Sequence, residues 1–175
     1  HAALTAMLLE RGAQMDAKTR SGWHALSIAA RYGLDEMVEQ LLYKGANPNL
    51  EDNDGRTALM HSAENGHLTS AKLLIEHGAD MESRDHHGSS ALMMAADKDQ
   101  LEIVKLLLDK GENINARDKD GATALIWAVG RGHIKTASYL ISNRADLNIQ
   151  DHDGVTALME AASTRAETLV KLLLA

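Results

Sequence analysis

Leucines and paired aliphatic residues recur in this chain at a fixed interval. Leu26, Leu59, Leu92, Leu125 and Leu158 stand 33 residues apart, and aliphatic pairs follow at Leu41-Leu42, Leu74-Ile75, Leu107-Leu108, Leu140-Ile141 and Leu173-Leu174. Glycines keep the same step at Gly22, Gly55, Gly88, Gly121 and Gly154, with no insertion between them. A period of this size marks a stack of supersecondary units, each too small to bury its apolar face alone.

The second complete unit shows what each position is for. Asp52-Asn53-Asp54-Gly55 reads as a turn, because glycine takes positive φ cheaply and Asp or Asn side chains satisfy nearby backbone groups. Thr57 is placed to cap a helix whose one face carries Leu59, Ser62 and Ala63, small enough for a neighbouring helix to approach closely. Gly66-His67 ends that helix. A second follows with Leu68, Ala71, Leu74 and Ile75 along one stripe, Gly78 closes it, and Ala79-Asp80-Met81-Glu82 leads back to the next turn. The expected fold is all-α: stacked antiparallel helix pairs joined by β-turn or hairpin-like loops. The expected units are a partial repeat at 1–18, repeats at 19–51, 52–84, 85–117 and 118–150, and a partial repeat at 151–175, in one continuous solenoid.

Several of these residues carry a resemblance to the ankyrin repeat family. Asp54-Gly55-Arg56-Thr57-Ala58-Leu59, Asn65-Gly66-His67, Leu73-Leu74 and Gly78-Ala79-Asp80 match its pattern, as do residues 120–125 and Gly132-His133, and the likeness spans nearly the whole chain. The family's usual Thr-Pro-Leu-His becomes Thr-Ala-Leu-Met or similar, with Ala25, Ala58, Ala91, Ala124 and Ala157 in the proline slot. Alanine at a first helical position loses little, so the departure puts in doubt the family's histidine hydrogen bonds and not its fold. Both ends fall inside a unit and neither carries a polar cap, which suits a segment of a longer array.

Composition narrows the function classes. With 45% hydrophobic and 25% charged residues the chain can bury a core, and no run of 18 apolar residues offers a membrane span. The absence of Cys removes disulfides, thiolate catalysis and Cys-ligated zinc. It also suits a reducing compartment, so a cytoplasmic location is expected, with room for a targeting segment ahead of His1. A formal charge of −7 argues against nucleic acid as partner.

Candidate chemistry reduces to repeat positions. His67 and His133 share a slot that the resemblance makes structural, and Asp85-His86-His87 and Asp151-His152-Asp153 lie on exposed turns where adjacent ligands do not converge on a metal. No catalytic set, cofactor site, metal site or small-molecule site is expected. Asn49, Asn115 and Asn148 fill the slot in which some ankyrin proteins are substrates of an asparaginyl hydroxylase; the plainer reading is that these amides bond the loop backbone.

The resemblance implies a protein partner held on a concave face made of turn tips and first helices, by a chain acting as a monomer. Helical spacing places Ile28/Arg31/Tyr32, His61/Glu64/Asn65, Met94/Asp97/Lys98, Trp127/Gly130/Arg131 and Glu160/Ser163/Thr164 on the outward side of the first helices. These triplets differ in chemistry from unit to unit, so the fold does not dictate them. Together with the turn tips they nominate Arg20, Trp23, Arg31, Tyr32, Arg56, Asn65, Arg84, His87, Lys98, Trp127 and Arg131 as partner-binding residues. Lys18, Arg117 and Lys119 add to the positive charge expected there, which favours an acidic or mixed-charge peptide. Trp23 stands where other units carry Arg56, Ser89, Ala122 or Val155, so it is expected to be exposed and dispensable to stability. The alternative function is a structural or elastic spacer. Finally, Arg144 and Arg165 replace glycines of other units, and the C-terminal units are expected to fray first.

Overall fold

The computed structural model describes residues 2–175. They form eleven helices and no strand, in two compact units, the first ending at His86 and the second running from His87 to Ala175. The first unit holds α1 (Ala2–Glu10), α2 (Ala25–Arg31), α3 (Asp35–Tyr43), α4 (Ala58–Asn65) and α5 (Leu68–Glu76). The second holds α6 (Ala91–Asp97), α7 (Leu101–Asp109), α8 (Ala124–Gly130), α9 (Ile134–Ser142), α10 (Ala157–Ser163) and α11 (Glu167–Leu174).

Each repeat contributes a short first helix and a longer second one that pack on each other. In the first unit α2 also packs on α4, and α3 on α1 and α5; in the second, α8 packs on α6 and α10, and α9 on α7 and α11. First helices thus stack on first helices and second on second. Alanine makes the spacing work: Ala29, Ala30, Ala63, Ala71, Ala95, Ala96, Ala128 and Ala137 are completely buried at the helix contacts. Leucines such as Leu59, Leu74, Leu92, Leu107, Leu125 and Leu140 fill the space between layers. Met60, Met93 and Ile126, in the slot where the family pattern has histidine, are buried apolar residues of this core.

Caps and turns follow the sequence reading. The hydroxyls of Thr57, Ser90, Thr123 and Thr156 accept from the backbone N–H three residues on, while His24 holds that slot in α2 without a side-chain cap. The turns close by backbone bonds from Asp52 to Arg56, Asp118 to Ala122 and Asp151 to Val155, each 2.9 Å. Within a unit the turn tips also bond to one another: Asn53 N–H donates to Ser21 O and His86 N–H to Asp54 O, and in the second unit Lys119 N–H to His87 O and His152 N–H to Asp120 O.

Three side chains sit in left-handed backbone that elsewhere is glycine. Arg144 and Arg165 have φ of 66° and 57°, as their slots require, and Asp99, which the sequence pattern did not flag, has φ of 57°. At Gly33, in the slot of Asp99, the His67 ring stands where a Cβ would point. At the other end of the chain α1 contains no buried residue, whereas α10 and α11 each bury two.

Candidate functional site

In the first unit the outward side of the repeats is built around a buried carboxylate. Asp52 opens its turn and uses Oδ1 to accept the backbone N–H groups of Asp54 and Arg56, both at 2.9 Å. Its Oδ2 is left for His61, whose Nε2 lies 3.0 Å away. Both side chains are only 1% exposed. The Trp23 ring stacks on His61 with centroids 4.4 Å apart, and the Arg31 guanidinium lies over Trp23 at 5.2 Å and beside Tyr32 at 6.0 Å. A column therefore runs from Asp52 through two rings to a guanidinium at the surface.

Burial is the main force on the His61 ring, and it pushes the pKa below the ordinary histidine value; the bond to Asp52 and its charge pull the other way, while Arg56 and Arg31 add to the lowering. A carboxylate only accepts, so Nε2 carries the hydrogen in the neutral ring, and buried Nδ1 has no hydrogen-bond partner.

The second unit repeats the device with a different ring. Asp118 Oδ1 accepts from Asp120 and Ala122 N–H, and Oδ2 accepts the Trp127 indole N–H, all at 2.9 Å. Arg131 lies over the Trp127 ring at 5.9 Å and pairs with Asp97 at 2.7 Å.

These contacts revise the sequence reading at several positions. The first slot of the triplets does not keep one depth: His61 and Met94, expected on the outward side, are buried, His61 beneath the Trp23 ring and against Asp52, whereas Ile28 in the same slot is exposed. Trp23 is half-buried and roofs His61, so it is part of the support as well as the surface. Trp127, which as a helix-borne residue beside Ala128 could equally be surface or half-buried, is half-buried, with its indole N–H on Asp118. Arg56 is held within the chain, 2.9 Å from Glu64 and 3.6 Å from Asp85, and Arg117 donates to the carbonyls of Gly121 and Gln150. Asn65 is exposed but donates its amide to His61 O at 2.8 Å. Arg20, Tyr32, His87, Lys98 and Arg131 are exposed, and Arg31 and Arg84 are half-buried.

The residues missed by sequence reasoning are the acceptors, Asp52 and Asp118. Their recurrence looked like turn chemistry alone; the available signal was a ring nine residues after each, His61 and Trp127. The loop asparagines behave as connectors: Asn49 accepts Asp80 N–H at 2.7 Å and donates to Gly78 O, and Asn115 accepts Asp146 N–H at 2.8 Å. Among the described residues no group of three or more His, Asp or Glu side chains is disposed to hold a metal, and no helix is long and apolar enough to cross a membrane.

Comparison with known proteins agrees with this architecture. No curated relative matches the chain. The model of ankyrin repeats in three copies matches residues 26–118 and again 92–175, and together these cover most of the sequence. With the period, the caps and the stacked helix pairs, that match places the chain in the ankyrin repeat family.

Proposed function

We propose that the chain binds another protein or peptide, as a single copy, through the side formed by its turn tips and first helices, and that it performs no chemistry of its own. Ankyrin repeats generally serve as protein-interaction modules. The observation that carries the reading is the contrast between slots. Interior positions agree from repeat to repeat, whereas the outward side presents aromatic rings with arginines laid over them, Trp23 and Tyr32 with Arg31, and Trp127 with Arg131. Aromatic and arginine side chains dominate interface energetics, since they bury large area for little lost freedom.

The partner on this reading is acidic or of mixed charge, and the compartment cytoplasmic. Affinity purification compares the native chain with one carrying Tyr32→Ala, Lys98→Ala and Arg131→Ala, and with a control carrying Lys72→Ala and Lys135→Ala on second helices. Partners lost from the first variant alone support the reading. Partners that survive it, or whose binding does not weaken as salt is raised, count against the face and against its charge preference.

A further inference from the structure

The column in the first unit ends in a charge without a counterpart. Arg31 occupies a repeat slot that is acidic in the next two repeats, as Glu64 and Asp97. Those acids are matched inside the chain, Glu64 by Arg56 at 2.9 Å and Asp97 by Arg131 at 2.7 Å. At Arg31 the sign is reversed. Among the described residues no carboxylate lies within ion-pair distance of it. Asp52, the acid at the base of the column, is already engaged by His61 and by two turn N–H groups.

What holds Arg31 is aromatic surface. A guanidinium lying over a ring face keeps its in-plane N–H edge for another group, and that edge matches the two oxygens of a carboxylate. A phosphate dianion would call for a second cation, and Arg56, the next along this side, is held by Glu64 and Asp85. The overall charge of −7 makes a general pull on acidic chains weak, so one unmatched guanidinium acts as a selective post more than as a broad attraction.

We propose that Arg31, set on Trp23 and beside Tyr32, receives the side-chain carboxylate of an Asp or Glu in the partner segment, with an apolar neighbour of that acid laid on the Tyr32 ring. This rests on the reading that the outward side binds protein. It adds to that reading the position and chemistry of one contact.

The test pans two peptide libraries against the 175-residue chain, one displayed without free C-termini and one with them. Peptides from the first library are expected to share an Asp or Glu at one position. Changing that acid to its amide is expected to weaken binding by about ten- to a hundredfold, the range of a charge-assisted hydrogen bond. Arg31→Gln, checked for folding by thermal unfolding, is expected to lose the same factor, with no further loss when both changes are combined. Arg31→Glu with a Lys-substituted peptide is expected to recover part of the affinity, which a merely structural role for Arg31 would not produce. Peptides that depend on Tyr32 yet bind Arg31→Gln as well as native overturn this inference and leave the binding reading standing. Selection from the free-C-terminus library alone overturns the side-chain source, and libraries yielding no binder to this side overturn both readings.

Discussion

His61 and Trp127 occupy the same position two repeats apart, and each turns a ring N–H onto the aspartate nine residues before it, over 3.0 Å to Asp52 and 2.9 Å to Asp118. An indole nitrogen is always a donor, whereas an imidazole does the same work in its neutral form with hydrogen on Nε2. The slot needs one N–H. A second proton on His61 would add an N–H at Nδ1, where no acceptor stands.

Stability is therefore expected to depend on pH through His61. Its pKa in the fold lies below the ordinary 6.5, chiefly through burial. The unfolded chain then binds more protons at this site, so stability falls as pH drops through that ordinary value and levels off below the folded pKa, at up to about 1.4 kcal/mol per pH unit. Urea midpoints at about pH 7 and 5 should differ less for His61→Gln than for the native chain. Equal differences would show that His61 is not responsible.

Trp23→Ala is expected to cost about 1–2 kcal/mol of stability, less than for a fully buried tryptophan but beyond the change at an ordinary surface site. The reason is the roof it forms on His61, 4.4 Å below it. Denaturant unfolding checks this; a change under about 0.5 kcal/mol would mean that His61 and Asp52 are shielded by other groups.

Removing the turn acceptor should be worse than removing the ring. Asp118→Ala strands three donors, the N–H groups of Asp120 and Ala122 and the Trp127 indole, and is expected to destabilise by about 2–3 kcal/mol. Asp118→Asn retains one acceptor oxygen and should cost less. Trp127 fluorescence should shift in both variants as its N–H loses the carboxylate, and an unshifted spectrum would argue that the bond is not kept in solution.

Arg144→Gly and Asp99→Gly separate backbone strain from side-chain bonding. Both residues have positive φ, and relieving this is worth on the order of 1 kcal/mol. Among the described residues the Arg144 guanidinium has no hydrogen bond or ion pair to lose, whereas Asp99 accepts the Thr136 hydroxyl at 2.7 Å. Thermal unfolding should show a gain for Arg144→Gly and little or none for Asp99→Gly. Hydrogen exchange in the native chain is expected to be fastest in α1 and around α10 and α11, and strong protection of α1 would contradict its lack of buried residues.

Much of this protein is set locally, and that part was legible in its residues. Thr57, Thr123 and Thr156 cap helices because a hydroxyl beside an unpaired N–H needs no distant partner, and Gly78 takes its left-handed turn for want of a Cβ. The 33-residue step then implies stacking, since no single helix pair can bury its own apolar side. Which outward slots stay outward was not legible. His61 and Trp23 lie far apart along the chain, in neighbouring repeats, and only the packing of α2 on α4 brings the two rings together. The same is true of charge: Arg31, Arg56 and Arg131 all fall on turn-tip or first-helix slots in the sequence, yet Arg56 and Arg131 meet acids within the fold and Arg31 meets a ring. Helical spacing tells which side of a helix a residue takes, but the depth at which it sits depends on the size and polarity of whatever the next repeat lays over it, and that is decided by tertiary packing.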